Sequence, residues 1–394
     1  MVYRETRTVG LGGRLGSSMR GVLAGLMMLA GGTFLLWWNE GNFVATDQTL
    51  REARAATVEL GDINRVDPSK NGRLVHAVGQ AETGQTLTDS FSGLQAQAIR
   101  LEREVRYYQW VEHSSTETRT KIGGEEETVT TYTYDRQWTP RPVDSSAFKD
   151  PEAVRNKKNS TLARVEEARY QAGEVRFGAY RLPEFLIDAI GGAEPLRVEL
   201  SQARAEELNR QLFPAAASSL VHTRDNTIIL STSPDSPQIG DLRLSFQVTR
   251  PATVSLLALC RDDSFEKYRS ANGRDFSRLA MGARSQEEMY ESAHSANSFI
   301  TWILRLAGTV LVIIGLKALA GPLTVLASVV PPLGRLVGMS AGLVAVLTGL
   351  SWSFLVISVA WLRFRPVVGL ALVAAAGGLI FLLYARGRAR PADH

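Results

Sequence analysis

Residues Gly21–Trp38 read GVLAGLMMLAGGTFLLWW and carry no charged side chain. A helix needs about 20 apolar residues to cross a bilayer, and this run reaches that length once Ser17–Arg20 is added. It is long for the apolar stretch of a cleaved leader. It ends in two tryptophans, where a leader would have a small-x-small cleavage site. Trp37 and Trp38 fit the amphipathic belt at a membrane interface. The expectation is an uncleaved transmembrane helix over residues 17–38.

The C-terminal third has the same character. Leu336–Leu362 is uncharged and long enough to span with tilt. Pro366–Tyr384 is a second uncharged stretch, and Ser298–Leu316 is apolar except for Arg305. Lys317 interrupts, and the residues after it are broken by Gly321, Pro322, Pro331 and Pro332. The reading is spans at 298–316, 336–362 and 366–384, with 317–335 interfacial or re-entrant. A charge inside a span is costly and marks a functional position by default. Arg305 is therefore a candidate, against the plainer reading that it reaches the interface. Arg305 and Lys317 are the only charges near that span, and no acidic residue accompanies them in the local sequence.

Charge follows the same division. Residues 1–20 carry a net +3 and residues 298–394 a net +7, so with a whole-chain charge of +4 the middle is acidic, at −6. The basic residues flank the spans, as lipid head groups and the positive-inside rule require. The soluble part shows no basic patch of the kind nucleic-acid binding needs. Four spans put the basic N-terminus, 1–20, and the basic C-terminus, 385–394, on the cytoplasmic side. Residues 40–297 then form a periplasmic or lumenal domain. Arg363 and Arg365 fall on the outer side, where arginines snorkel to head groups.

Within 40–297 the pattern is β-rich. Residues 40–70 read as a helix or linker leaving the membrane, and Val75–Ala81 opens the strand material. Val105–Ile122 and Thr128–Trp138 are rich in Thr, Tyr, Val and Trp around Gly123-Gly124, which reads as a β-hairpin. Counting outward from the turn makes Trp110 and Trp138 cross-strand neighbours. Asp144–Ser160 reads as a polar, mobile loop. Tyr170–Tyr180 reads as a strand, Leu182–Ile190 as a short helix entered through Pro183, and Glu199–Phe213 as a helix. Ser219–Ser231 and Asp241–Leu259 read as strands. In the latter, Leu242, Leu244, Phe246 and Val248 alternate with Arg243, Ser245 and Gln247, giving one buried and one wet face. Ser285–Ala296 reads as a polar helix running into the next span. The fold class is an integral membrane α-helical protein of about four spans plus a large β-rich α+β domain.

No phosphate-binding loop, nucleophile elbow or zinc-protease motif is present. Cys260 is the single cysteine, so neither an intrachain disulfide nor a paired-cysteine zinc site forms. His76, His113, His222, His294 and His394 are scattered, and His76 lies in an alternating strand-like stretch. No cofactor or metal is expected.

Several short stretches resemble the transmembrane protein 43 (LUMA) family. They are Asn39-Glu40-Gly41, Gly72-Arg73-Leu74-Val75-His76, Tyr108-Gln109-Trp110-Val111-Glu112 and Tyr132-Thr133-Tyr134 with Trp138. Further along come Gly240-Asp241-Leu242-Arg243, Thr301-Trp302, Leu304-Arg305, Ala307-Gly308, Trp361-Leu362 and Arg365-Pro366. The likeness runs along almost the whole chain in order and spacing. It implies four spans, cytoplasmic termini and a lumenal domain, and a self-associating organiser of its membrane. His76, Trp110, Trp138 and Asp241 are its motif residues in the soluble domain. It implies no catalytic residues. The Ala/Arg/Gly-rich composition points to a bacterial-type member in the inner membrane, with the ER or inner nuclear membrane as the eukaryotic counterpart.

Three functions follow as expectations. The first is a scaffold that binds membrane lipids, other envelope membrane proteins and further copies of itself, with no nucleic acid. Small residues at Gly338, Gly342 and Gly349 would allow close helix packing, between copies or within the chain. Trp37, Trp38, Arg305 and Arg365 complete the membrane candidates. The second is a membrane-bound enzyme acting on a lipid or envelope substrate through His76, His113 or a carboxylate. The third is a channel subunit.

Overall fold

A computed structural model describes residues 2–216 and 218–367. Contacts divide the chain into two compact units. The first is Met1–Glu5, Ala53–Glu117 and Val129–Met289, and the second is Thr6–Glu52, Thr118–Thr128 and Tyr290–His394.

The longer strands are β1 (Val2–Val9), β2 (Leu74–Glu82), β3 (Arg100–Thr120), β4 (Glu126–Thr139), β5 (Val221–Arg224), β6 (Thr227–Leu230), β7 (Leu242–Thr249) and β8 (Ala252–Arg261). One eight-stranded sheet runs in the order β1-β4-β3-β7-β6-β5, with Glu194–Pro195 pairing on β7 and Ala168–Gln171 on β3. A seven-stranded sheet is built around β2 and β8, which pair antiparallel from Ala252↔Ala81 to Leu259↔Leu74. Alternation along β7 puts Leu242, Leu244, Phe246 and Val248 in the core, and Leu244 lies opposite Val105 of β3. At Arg250-Pro251 the ladder stops, because proline has no N–H to give it. The chain then changes sheets. β8 is covered on both faces, with Val254, Ser255, Leu256, Leu257 and Ala258 all buried.

Each sheet has its own core. Phe177, Tyr180, Leu256, Cys260 and Phe265 lie in one, and Leu101, Val105, Leu208, Leu244 and Phe246 in the other. Each fully buried aliphatic or aromatic side chain contributes about 1.5–3 kcal/mol of transfer free energy.

The structure corrects several expectations. Trp110 and Trp138 are not directly opposite each other: the Trp138 ring packs on Tyr108 at 5.2 Å, and Trp110 lies under Arg136 at 4.7 Å. The true register is offset from one counted symmetrically out of the glycine pair. Asp241–Leu259 is two strands in different sheets, for the reason just given. Ser219–Ser231 is also two strands, turned at Asp225-Asn226, both in left-handed conformation, as a tight hairpin requires. Tyr170–Tyr180 is interrupted between Ala168–Gln171 and Arg176–Phe177. Asp144–Ser160 holds a 3-10 turn at Ser145–Ala147 and a helix at Pro151–Asn156. Asp144 and Asp150 cap them, and Asn159 ties the segment to the carbonyls of Trp110 and Val143.

The second unit is helical: α1 (Leu11–Ala56), α2 (Gln286–Leu319), α3 (Gly321–Ala327) and α4 (Pro331–Phe364), the outer ends of α1 and α2 belonging to the first unit. Among the described residues three helices, α1, α2 and α4, are long and apolar enough to cross a membrane. They expose large apolar side chains, including Leu23, Phe34, Leu306, Met339 and Phe354. A monomeric soluble surface does not show such a density. The stretches 17–38, 298–316 and 336–362 lie within these helices. The expected segment 317–335 contains α3 and the first turn of α4. Apart from Pro366 and Val367, the expected span 366–384 lies outside the described residues, as does 385–394.

α1 and α2 run antiparallel at backbone contact. A Cβ on Gly32 would stand 2.8 Å from the Gly308 carbonyl oxygen, and one on Gly25 2.8 Å from that of Gly315. Small residues at such crossings are the usual route to close helix packing in lipid. The β3–β4 tip also belongs to this unit. Arg14 donates to the Gly124 carbonyl at 2.6 Å and to Ser328 Oγ at 2.9 Å, and pairs with Glu126 at 3.2 Å.

Candidate functional site

One carboxylate joins the three membrane helices. Glu40 follows the uncharged run of α1 and is fully buried. Arg305 of α2 reaches it with Nε to Oε1 at 2.6 Å and Nη2 to Oε2 at 2.9 Å, a two-pronged pair. Trp361 of α4 donates its indole N–H to Oε2 at 2.8 Å. The guanidinium also lies 4.8 Å from the Trp302 ring and 5.8 Å from the Trp361 ring. Arg305 is 14 % and Glu40 1 % exposed in their side chains. The local sequence near the span offers no acid, and that expectation of an unaccompanied Arg305 is overturned. Its partner comes from the other end of the chain, at matching depth.

The register that brings them together is set by the glycine contacts. Past Gly25–Gly315 and Gly32–Gly308, the same alignment puts Asn39 Nδ2 on the Thr301 carbonyl at 3.1 Å and Asn297 Nδ2 on the Phe43 carbonyl at 3.2 Å. It ends with His294 Nδ1 3.2 Å from Asp47. A polar seam therefore continues the apolar one. Asn39 Oδ1 is buried with no hydrogen-bond partner among the described residues.

The other membrane candidates lie nearby or apart. The Trp37 ring packs on Phe364 at 5.5 Å, and Arg365 lies 4.4 Å from the Phe43 ring. Trp38 is exposed. Gly349 is used within the chain, since a Cβ there would meet Ile313 of α2 at 2.6 Å. Gly338 faces Thr324 of α3. A side chain at Gly342 would meet nothing within 4 Å.

The soluble candidates do not converge. His76 is buried on β2, with Nδ1 2.8 Å from Glu59 and Nε2 3.0 Å from the Arg284 carbonyl oxygen. Both ring nitrogens face acceptors, so neither is open to a substrate. His113 is exposed on β3 beside Asp135 at 2.9 Å. Asp241 is buried and accepts from Ser231 Oγ and the Gln238 N–H, which closes the turn before β7. Trp138 lies under Arg243 at 4.6 Å, and Lys157 approaches Trp110 at 5.0 Å. Burial and the hydrogen bond to Glu112 push the Tyr134 phenol up. Burial likewise raises the Cys260 thiol, with Asp262 and Asp67 adding to it. Among the described residues no group of three His, Cys, Asp or Glu is placed to hold a metal ion.

With this geometry in hand, the chain can be set beside known proteins. The family model described as Transmembrane protein 43 matches residues 107–366, more than half of the chain. Transmembrane protein 43 of Homo sapiens is 29% identical over 385 residues, covering 95% of this chain and 92% of the relative. The Rattus norvegicus protein of that name is 29% identical over 364 residues, 90% of this chain and 87% of its own. A Drosophila melanogaster homolog is 27% identical over 357 residues, 89% and 90%. No solved structure matches.

Proposed function

This chain belongs to the transmembrane protein 43 family, and from that premise we propose that it is a membrane scaffold which self-associates and organises proteins or lipids at its membrane. The observation that favours this reading over a channel or proton relay is the closure of the Glu40–Arg305–Trp361 cluster within the chain. The charge inside the spans is held by a partner on both prongs and by an indole donor. A proton relay or ion path needs charges open to a carried species. A buried pair of this kind instead fixes which helix faces meet.

The enzyme reading has less support, because His76 is engaged at both nitrogens and His113 stands on the exposed part of a different sheet. The channel reading has less support for the reason given for Arg305. The arginine distribution favours placing the Arg14 end of α1 in the cytoplasm. Most of residues 40–297 would then lie on the opposite side, the periplasm of a bacterium or the lumen of a eukaryotic membrane.

The test is the mass of the particle in lipid nanodiscs, with lipid subtracted. A discrete homo-oligomer is expected. A monomer at all protein concentrations overturns self-association.

A further inference from the structure

Within the helical unit, the exit of α4 is seated directly on α1. Phe364, the last residue of α4, packs its ring on Trp37 at 5.5 Å and over Gly41. A Cβ at Gly41 would stand 2.9 Å from that ring, so the missing side chain makes the room. Trp37 and Gly41 lie one turn apart on α1, and the ring between them fixes its neighbours. The Arg365 guanidinium lies 4.4 Å from the centre of the Phe43 ring. Phe43 is itself tied to α2, because its carbonyl accepts from Asn297. Arg363 is exposed and lies 5.7 Å from the Phe364 ring.

This seat holds two cations and no anion. Among the described residues neither Arg363 nor Arg365 has an ion pair or a side-chain hydrogen bond. The nearest acids along α1 are already engaged, Glu40 by Arg305 and Trp361, and Asp47 by Arg51 and His294. A partly desolvated charge without a counter-charge is unfavourable, so the pair lacks a partner of opposite sign. Its depth shows where that partner lies. Trp37 and Trp38 of α1, Trp302 of α2 and Trp361 of α4 surround the Glu40 level, and Trp38 and Trp302 are exposed. Such a tryptophan belt marks the membrane interface. Arg365 follows Trp361 by four residues, about 6 Å farther along the axis at helical rise. Under the orientation proposed above, this end is the one the positive-inside rule leaves poor in arginine. Topology therefore gives no reason for the pair.

We infer that the exit of α4 binds the phosphate of an anionic phospholipid, with Arg365 as the fixed donor and Arg363 as the second charge. A guanidinium offers parallel N–H donors that match two phosphate oxygens. Stacking on Phe43 occupies its face and leaves its N–H edge open to an acceptor. A zwitterionic lipid carries its own cation beside the phosphate, which competes with the arginines. A lipid with net negative charge has no such rival. The inference takes up the lipid side of the function proposed above and holds whether or not copies associate. Arginine near a helix C-terminus also suits the helix dipole, but that effect does not depend on the lipid.

Thermal unfolding of the full-length protein in nanodiscs tests the site. Replacing part of the phosphatidylcholine with phosphatidylglycerol should raise the melting temperature of the wild type by several degrees. Arg335→Gln, which removes a charge at the other end of α4, should keep that gain. The Arg363→Gln, Arg365→Gln double variant should lose it. Loss of outer arginines does not oppose the orientation, so this variant should still insert. Phe43→Leu keeps both charges, removes the stacking ring and should shrink the gain. Inorganic phosphate added to pure phosphatidylcholine discs should give no gain. Native mass spectrometry of the wild type from mixed discs should find phosphatidylglycerol retained over phosphatidylcholine. An equal gain in the double variant overturns the site. If inorganic phosphate reproduces the gain, the site takes free anions and the lipid assignment falls. Should the double variant fail to fold, an undiminished gain in Phe43→Leu, or no preferential retention by the wild type, overturns it as well. Particle mass is read on the same discs. An oligomer without the lipid gain overturns this site alone, and a monomer with it overturns self-association alone.

Discussion

Glu40 and Arg305 stand 265 positions apart in the chain and are joined by two hydrogen bonds, 2.6 and 2.9 Å long. Trp361 adds a third bond to the same carboxylate. Three helices therefore share one buried anion. Desolvating such a pair offsets much of its attraction, so its net contribution to stability is small. Its effect is on specificity. Sliding α1 against α2 by one turn would leave both charges unpaired in the membrane.

The indole bond gives the first prediction. Trp361→Phe keeps most of the ring and removes the donor to Glu40. It should destabilise the helical unit by about 1.5–3 kcal/mol, the range for hydrogen bonds to charged groups. Thermal unfolding in detergent reads the effect. In a Glu40→Gln background the same change should matter much less. Equal losses in both backgrounds would mean that the indole acts by packing alone.

Neighbouring glycines give a steric comparison. A Cβ at Gly32 would meet the Gly308 carbonyl oxygen at 2.8 Å, whereas at Gly31 it would meet nothing within 4 Å. Gly32→Ala should lower the melting temperature of the detergent-solubilised protein by several degrees. Gly31→Ala should leave it unchanged or raise it slightly, since alanine is the better helix former. Matching behaviour of the two variants would contradict the α1–α2 packing.

Cys260 should be inert in the folded protein. It is fully buried, and burial raises its thiol above the ordinary range. An Ellman assay at pH 8 should find almost no reactive thiol in the native state and one per chain in denaturant. Rapid native labelling would mean that the β8 core opens readily.

Acid should act on the turn carboxylates. Hydrogen bonds from Ser69 and Ser146 hold Asp67 and Asp144 below the usual carboxylate range. A carboxylate depressed in the folded state contributes stability above its unfolded value, near 4, and loses it as pH falls through the folded value. Both groups are solvent-exposed, so the effect is small. The Asp67→Asn, Asp144→Asn double variant should show a shallower loss of stability below pH 4 than the wild type, followed by tryptophan fluorescence. An unchanged acid limb would remove these two groups from the account.

Much of the architecture was legible in the sequence. The apolar runs marked the helices, the Gly123-Gly124 hairpin was plain, and the alternation from Leu242 to Val248 identified a strand with one buried face. Arg305 stood out because a lone charge in an apolar helix needs a reason. Its partner did not, because contacts between distant helices leave no local pattern. A signal was nonetheless present. Gly25 and Gly32 on α1 have the same spacing as Gly308 and Gly315 on α2, and aligning the two pairs antiparallel leads towards Glu40 and Arg305. Gly338, Gly342 and Gly349 form the more conspicuous small-residue stripe, yet Gly349 packs against Ile313 inside the chain. Strand limits were missed where a single residue breaks the ladder, as at Pro251. Counting outward from Gly123-Gly124 misplaces Trp110 and Trp138, because hairpin register depends on turn geometry as well as turn position.

The most direct test of the central claim, that the intramembrane charges lock helices together, is a double-mutant cycle on Glu40 and Arg305. Unfolding would be followed in detergent and particle mass in nanodiscs. Glu40→Met or Arg305→Met alone should cost about 3–5 kcal/mol, the usual penalty for leaving a buried charge unpaired. The Glu40→Met, Arg305→Met double variant should recover most of that loss and assemble as the wild type does. Single variants with wild-type stability, or a double variant whose loss equals the sum of the singles, would contradict the lock.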